Sequence, residues 1–293
     1  MTDAVATAPA EIVPVLPTRR ELPAWRLLLR RPSFVIGAVI LLFWIVCAIF
    51  GNAIAPHDPL AQDLLSLNKP PSTAHWFGTD PLGRDVLSRV LVGARTILIV
   101  TPLATLLGTV LGTALGLAMG YFGGLLDTLV SRLVEAVLAL PAVIIIFLFI
   151  VALGTSIPSL IIVIGFIFTP LIARTVRSSV QVERQLDYLS SARLLGERPG
   201  RIMFVEILPN VIPTVVVEFT VRLGYAIFAV ATLAFLGFSI QVSTPSWGSD
   251  IQASYGLLGA GYWWETLFPA LAIASLVIAI NLVADSIQQV VTG

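Results

Sequence analysis

The sequence has few of the residues that carry chemistry in soluble enzymes: one cysteine, one lysine and two histidines among 293 residues. With Cys47 alone, an intramolecular disulfide and a cysteine-based zinc site are both excluded. No Gly-x-x-x-x-Gly-Lys precedes Lys69, so the chain has no P-loop. His57 and His75 do not form His-Glu-x-x-His, and Gly-x-Ser-x-Gly is also absent. We therefore expect no catalytic residue, no metal ligand and no enzymatic activity.

Charge is equally scarce, because only 12% of residues are charged while 57% are hydrophobic and the mean hydropathy is +0.95. This composition excludes a water-soluble domain. The 17 basic residues balance the 17 acidic ones, so no basic surface is available for nucleic acid. Uncharged stretches long enough to cross about 30 Å of hydrocarbon recur along the chain, and the one between Glu135 and Arg174 could cross twice.

These stretches predict an all-α, polytopic membrane protein with six transmembrane helices and a polar tail over residues 1–32. The predicted spans are 33–54, 96–121, 126–153, 159–175, 211–237 and 266–284. Pro141 predicts a kink in the third span. A further helix is predicted from Pro81 to Arg95, with Asp80 as its N-cap and Asp85 paired with Arg89, lying along the membrane surface.

The distribution of arginine predicts the orientation. Five arginines precede the first span and six lie between Arg174 and Arg201, whereas residues 238–265 contain no arginine or lysine. The positive-inside rule places the first two regions in the cytoplasm. With six spans, both termini are then cytoplasmic and the protein is a multi-pass membrane component.

Four glycines recur at a spacing of four in the second predicted span: Gly108, Gly112, Gly116 and Gly120. This spacing lines them along one helix face, where another helix backbone can approach closely. We expect this face to pack against a neighbour and, together with the missing P-loop, to indicate partner subunits.

The segment 185–208 combines charge with helix signals between two spans. Residues 187–195 predict a short helix with Tyr188, Ala192 and Leu195 on one side, ended by Gly196. A second helix is predicted from Arg201 to Leu208, ending at Pro209 and Asn210. A helix-glycine-helix segment between two spans is suited to docking in the groove of a partner protein.

This segment resembles the signature loop of the permease subunits of bacterial binding-protein-dependent ABC importers. The family pattern reads approximately Glu-Ala-Ala, three residues, Gly, nine residues and Ile-x-Leu-Pro. It falls here on Asp187, Ser191, Ala192, Gly196, Ile207, Leu208 and Pro209, with Asp187 in place of Glu and Ser191 in place of the first Ala. The stretches Phe77 to Arg89, Leu233 to Gly237 and Thr244 to Gly248 are most similar to the dipeptide and oligopeptide permeases of the C type.

The resemblance implies a type I ABC importer permease surrounded by membrane lipid. It further implies a second, homologous permease that completes the translocation path, two cytoplasmic ATPase domains and an external substrate-binding protein. ATP and Mg²⁺ would be bound by the ATPases and no cofactor by this chain. Short peptides are the implied substrates, and the loop with Tyr188 would couple the permease to the ATPases.

Glu218 and Arg222 lie four residues apart within the fifth predicted span. An ion pair in a membrane is costly unless it faces a water-filled path or a partner. The two residues either line the translocation path or lock their helix to a neighbour. Used as a coupling site, they would support the alternative function of an ion-coupled secondary transporter or channel. Arg132 and Glu135 are instead expected to form a structural pair.

The aromatic residues near the predicted external loop are expected to anchor the protein at the membrane interface. A contribution to docking an external binding protein is the alternative interpretation. The residues are Trp247, Tyr255, Tyr262, Trp263 and Trp264.

We predict that residues 55–80 and 240–262 are external and residues 180–205 cytoplasmic. Single cysteines introduced on a Cys47→Ser background should react with an impermeant thiol reagent in intact cells only in the first two regions. Labelling at position 198 would contradict this orientation.

Overall fold

The computed structural model describes residues 24–238 and 244–291. Residues 1–23 of the predicted polar tail and residues 239–243 of the predicted external loop lie outside these ranges. Within them the chain is helical, with one isolated β-bridge between Thr79 and Asp85. The helices are α1 (Ala24–Leu29), α2 (Pro32–Ile54), α3 (Val86–Phe122), α4 (Gly124–Leu138), α5 (Ala142–Leu153), α6 (Ile157–Glu183), α7 (Asp187–Leu194), α8 (Pro199–Phe235), α9 (Trp247–Ser254) and α10 (Trp264–Val291).

In the described ranges, five helices are long and apolar enough to cross a membrane: α2, α3, α6, α8 and α10. A sixth span results if α4 and α5 are counted as one broken crossing. These two helices meet at 90°, so the predicted kink at Pro141 is a sharp break. Proline has no N–H to continue the helical ladder, and its ring disfavours helical backbone in the preceding residue.

The glycine face of α3 packs directly against α6. A Cβ at Gly112 would lie 2.8 Å from the Thr169 carbonyl oxygen, and one at Gly116 would lie 2.8 Å from that of Ala173. Gly108 and Gly120 face Gly165 and Val180 of α6 at similar separations. The neighbour of this face is therefore a helix of the same chain, and the face itself is no evidence for a partner subunit.

The predicted surface helix from Pro81 to Arg95 is wrong. Asp80 closes a turn instead, with its Oδ1 accepting from the N–H groups of Leu82 and Arg84 at 2.9 Å each. Gly83 follows in the left-handed region (φ +73°), which interrupts any helix begun at Pro81. Asp85 is the real N-cap, because its Oδ2 accepts from the Ser88 N–H at 2.8 Å. From there α3 runs without a break to Phe122.

The predicted boundaries around residues 175–208 are also wrong. Helix α6 continues to Glu183, and the predicted second helix does not end at Pro209 but forms the start of α8. A π-helical stretch over Ile202–Ile207 precedes that proline, with the Leu208 N–H bonded to the Met203 carbonyl. Pro209 has no N–H and so needs no hydrogen-bond acceptor. The helix therefore continues through Pro209 where the hydrogen bonding changes from π-helical to α-helical.

The segment between α8 and α10 folds back onto the helix bundle. Trp247 is fully buried and its Nε1 donates to the Val90 carbonyl at 2.8 Å. Trp264 is also buried, and its Nε1 donates to the Thr79 carbonyl at 3.2 Å. Interfacial anchoring is therefore the wrong interpretation for these two residues, whereas Tyr255 and Trp263 are exposed.

Buried ion pairs hold this part of the fold together. Arg89 does not pair with Asp85 as predicted. Its Nε donates to Asp250 Oδ1 of α9 at 3.1 Å, and its Nη1 donates to the Pro59 carbonyl at 3.1 Å. Arg84 Nε lies 2.6 Å from Asp80 Oδ2. Arg89 thus ties together three segments that are far apart in the sequence.

We predict that Gly112→Ala lowers the thermal stability of the permease in detergent. The added methyl must displace α6, and overpacking of this kind costs about 1–3 kcal/mol. That exceeds the roughly 1 kcal/mol by which alanine favours a helix over glycine. The control is Gly256→Ala, where an added Cβ meets no atom within 4 Å. Equal melting temperatures for the two variants would contradict the close approach of α3 and α6.

We also predict that Asp250→Ala destabilises the fold by about 3 kcal/mol, because the buried Arg89 guanidinium loses its hydrogen-bonded carboxylate and keeps only Asp80, 3.8 Å away. The matched control is Glu135→Ala. It removes the partner of Arg132 from an exposed pair at 3.1 Å and should change stability by less than about 1 kcal/mol. Thermal unfolding of both variants tests this, and equal losses would show that Asp250 is not needed to neutralise Arg89.

Candidate functional site

Helix α7 of the predicted coupling loop is eight residues long. The Leu189 side chain is completely buried, and Ala192, one turn further along, is partly buried. Asp187 and Ser191 are exposed on the opposite side. The inward face is therefore formed by Leu189 and Ala192, and the predicted face with Leu195 is not the packed one. Leu189 and Ala192 are three residues apart, a spacing that places both side chains on the same face of a helix.

A glycine turn ends α7. Gly196 has a φ of +76°, its N–H donates to the Arg193 carbonyl at 3.0 Å, and the Glu197 N–H donates to the Ala192 carbonyl at 3.2 Å. This pair of bonds is the Schellman motif, which requires a left-handed residue at the glycine position. A Cβ on Gly196 would meet no atom within 4 Å, so the turn faces open space.

The residues before this turn form an apolar tip. Leu194 is 90% exposed and Leu195 is 82% exposed, although both belong to a segment outside the predicted spans. Together with Gly196 they form what we call the α7 tip, residues 194–196. Adjacent leucines exposed to this extent gain free energy when a partner surface covers them.

A polar cluster connects α7 to both neighbouring spans. Asn210 Nδ2 of α8 donates to Glu183 Oε1 at the end of α6 and to the Tyr188 hydroxyl of α7, each at 2.8 Å. The Tyr188 hydroxyl also donates to Glu183 Oε1. We call these three residues the Glu183–Tyr188–Asn210 clamp. Sequence reasoning missed Glu183 and Asn210, because the clamp joins residues 27 apart.

The Tyr188 hydroxyl is a stable donor in this clamp. Burial, followed by the hydrogen bond to Glu183, raises the pKa of Tyr188 to about 12. The phenol therefore stays protonated throughout the physiological range, and the hydrogen bond to the carboxylate is retained.

A further contact joins α7 to the end of α3. The Arg193 guanidinium lies 5.4 Å from the centre of the Tyr121 ring, within the range of a cation–π interaction. With the clamp, this contact means that α7 touches the ends of α3, α6 and α8. A displacement of α7 would be transmitted directly to three membrane-spanning helices.

The remaining residues of the predicted coupling set lie inside α8. Ile207 is fully buried, Leu208 is partly buried and Pro209 is exposed. The structure thus divides the set between two helices: Asp187, Tyr188 and Ser191 are exposed on α7, whereas Ile207 and Leu208 pack at the start of α8.

Glu218 and Arg222 face each other on α8. Arg222 Nη2 and Nε donate to Glu218 Oε2 at 2.9 and 3.1 Å, and both side chains are largely buried. The guanidinium also lies 5.7 Å from the centre of the Tyr225 ring. The two charges therefore neutralise each other within one helical turn.

Comparison with known proteins identifies the family. Residues 112–292 match the family described as the binding-protein-dependent transport system inner membrane component. Residues 23–71 match the N-terminal transmembrane domain of oligopeptide transport permease C.

Individual relatives match over nearly the whole chain. The dipeptide transport system permease protein DppC of Bacillus subtilis is 35% identical over 268 residues, covering 91% of this chain and 83% of the relative. The glutathione transport system permease protein GsiD of Escherichia coli O1:K1 is 37% identical over 267 residues, covering 90% and 88%. The GsiD protein of Shigella flexneri serotype 5b is 38% identical with the same coverage. The chain therefore belongs to the binding-protein-dependent ABC importer permeases, as a multi-pass membrane subunit of a bacterial transporter and not an enzyme.

Proposed function

We propose that this permease takes up short peptides. The support comes from the relatives, one named for dipeptide and others for glutathione transport, which are more than a third identical to this chain over the aligned residues. Both names denote small molecules built on peptide bonds. In this proposal a binding protein delivers the peptide from outside, and a second, homologous permease completes the translocation path.

The same proposal assigns the energy supply to two ATPase subunits in the cytoplasm, which bind ATP and Mg²⁺, while this chain binds no nucleotide. Both termini and α7 then lie on the cytoplasmic side. ATP binding closes the ATPase pair, and the movement reaches the spans through α7. The alternative of an ion-coupled carrier or channel is not retained, because membership of the family assigns the chain to an ATP-driven system.

The observation that supports the coupling assignment is the way in which α7 is attached to the membrane-spanning helices. Its tip, residues 194–196, is exposed and apolar, while its base is fixed to α6 and α8 by the Glu183–Tyr188–Asn210 clamp. A surface that receives force from a partner must be exposed at one end and rigidly connected at the other. The α7 helix meets both conditions.

We predict that Gly196→Arg abolishes transport while the protein stays inserted in the membrane. A residue with a Cβ in the left-handed region costs roughly 1–2 kcal/mol, which leaves the fold intact. The arginine side chain extends from the α7 tip and prevents the ATPase from approaching. The measurements are membrane abundance, copurification of the ATPases and uptake of a labelled dipeptide in cells that lack other peptide importers.

The matched control is Gly261→Arg. Gly261 is also in the left-handed region (φ +95°) and has equally open surroundings, but it lies between α9 and α10. The control imposes a comparable left-handed backbone strain and should retain the ATPases and transport. Normal uptake by Gly196→Arg would remove α7 from the coupling mechanism, and loss of uptake in both variants would show that strain alone explains the defect. Failure of the unmodified transporter to take up dipeptide or glutathione would contradict the peptide assignment only.

A further inference from the structure

The only two histidines of the chain lie beside one carboxylate. His57 follows α2, His75 lies eighteen residues later in the connecting segment, and Asp85 caps α3. Their nearest ligand atoms all lie within 4.8 Å of one another. The sequence predicted no metal ligand, because these residues form no recognised spacing motif. The folding of residues 56–85 brings them together.

The interatomic distances do not describe a simple set of hydrogen bonds. His75 Nδ1 lies 2.9 Å from Asp85 Oδ1, which is a normal hydrogen bond. His57 Nδ1 faces the same oxygen at 3.7 Å, beyond hydrogen-bond range. One imidazole is enough to satisfy Asp85 Oδ1, and the second packs against the first, with ring centroids 4.7 Å apart and ring planes inclined at 36°.

The same distances match the edges of a tetrahedral metal site. Zinc binds imidazole nitrogen and carboxylate oxygen at about 2.0–2.2 Å, so two ligands at the tetrahedral angle lie about 3.3 Å apart. The observed 2.9 and 3.7 Å bracket this value. The third edge, between the two imidazole nitrogens, is no longer than 4.8 Å, so the imidazoles must move towards each other for all three ligand atoms to reach one ion.

The carboxylate is already oriented for such a role. Asp85 is buried, and its Oδ2 accepts from both the N–H and the hydroxyl of Ser88 at 2.8 and 2.7 Å. This leaves Oδ1 directed at the imidazoles. The Ser88 hydroxyl oxygen also accepts from the backbone N–H of His57 at 3.1 Å. Hydrogen bonds that fix a ligand from behind are typical of metal sites.

We propose that His57, His75 and Asp85 bind a divalent transition-metal ion of the zinc class. Two imidazoles and a carboxylate favour Zn²⁺, Cu²⁺ or Ni²⁺ over Mg²⁺ and Ca²⁺, which prefer oxygen ligands. The His57 side chain is 44% exposed, so the ion enters from solvent and keeps water in its fourth position. The bound ion connects the end of α2 to the start of α3. This proposal is independent of the transported substrate.

Zinc binding to the full-length chain in detergent tests the proposal. The chain carries an affinity tag without histidine and is first stripped with a chelator, and bound zinc is then measured in competition with a chromophoric chelator. We expect one Zn²⁺ per chain, not displaced by equimolar Mg²⁺. His57→Gln should weaken binding by at least tenfold, about the loss that follows from disturbing a metal site. The control Asp58→Asn changes the neighbouring carboxylate, which accepts from the Leu60 N–H, and should bind zinc as the unmodified chain does.

Thermal unfolding provides a second measurement that does not depend on the chelator. A ligand that binds the folded state alone raises the melting temperature. Zinc should therefore stabilise the unmodified chain and Asp58→Asn, but not His57→Gln, whose melting temperature without zinc should equal that of the unmodified chain. Absence of zinc binding by the unmodified chain, or equal zinc affinity in His57→Gln, would overturn the proposal.

Discussion

The backbone contact between α3 and α6 is the constraint on which the rest of the structure depends. Glycine every four residues removes the side chains that would separate the two helices, and van der Waals packing then supplies the attraction that lipid does not. The two helices are therefore fixed along their length. Because α3 carries the Asp85 cap at one end and Tyr121 at the other, its position determines both extramembrane ends of the protein.

The attachment of α7 to the membrane-spanning helices depends on the contact between α3 and α6. Its cation–π partner Tyr121 belongs to α3, and its clamp residue Glu183 belongs to α6. Since these two helices cannot slide past each other without breaking the glycine contact, α7 rests on a rigid base. Only Asn210 of α8 connects the clamp to a helix outside the glycine contact. In the proposed coupling, force applied at the α7 tip would act on α8 relative to a fixed pair, and α8 carries Glu218 and Arg222.

Features that depend on local periodicity could be predicted from the sequence. The spans follow from hydropathy, the close helix contact from the glycine spacing and the end of α7 from Gly196. The predictions are wrong where two neighbouring residues both have the pattern of a helix boundary. Asp80 followed by Pro81 has the pattern of a helix start, but Gly83 and the Ser88 N–H favour Asp85 as the cap. Pro209 has the pattern of a helix end, and nothing in the sequence shows that a π-helical stretch before it allows the helix to continue.

Features that join distant segments could not be predicted. Arg89 and Asp250 are 161 residues apart, and no sequence pattern around either residue indicates that the two form a pair. The convergence of His57 and His75 depends on an irregular segment whose path is set by turns at Gly78 and Gly83, not by a repeating pattern. Trp247 was expected at the interface because tryptophan is common there, and only the fold shows that it is buried against Val90.

The central claim is that the α7 tip is the contact through which an ATPase acts on this permease. Cysteine crosslinking in membranes containing the complete transporter tests it most directly, using Leu194→Cys on a Cys47→Ser background. The control is Leu65→Cys, which is 88% exposed but lies between α2 and α3. We expect a short reagent with a maleimide at one end and a photoactivatable group at the other to link position 194 to the ATPase subunit and position 65 to no ATPase. Crosslinking of the ATPase to position 65 but not to position 194 would contradict it.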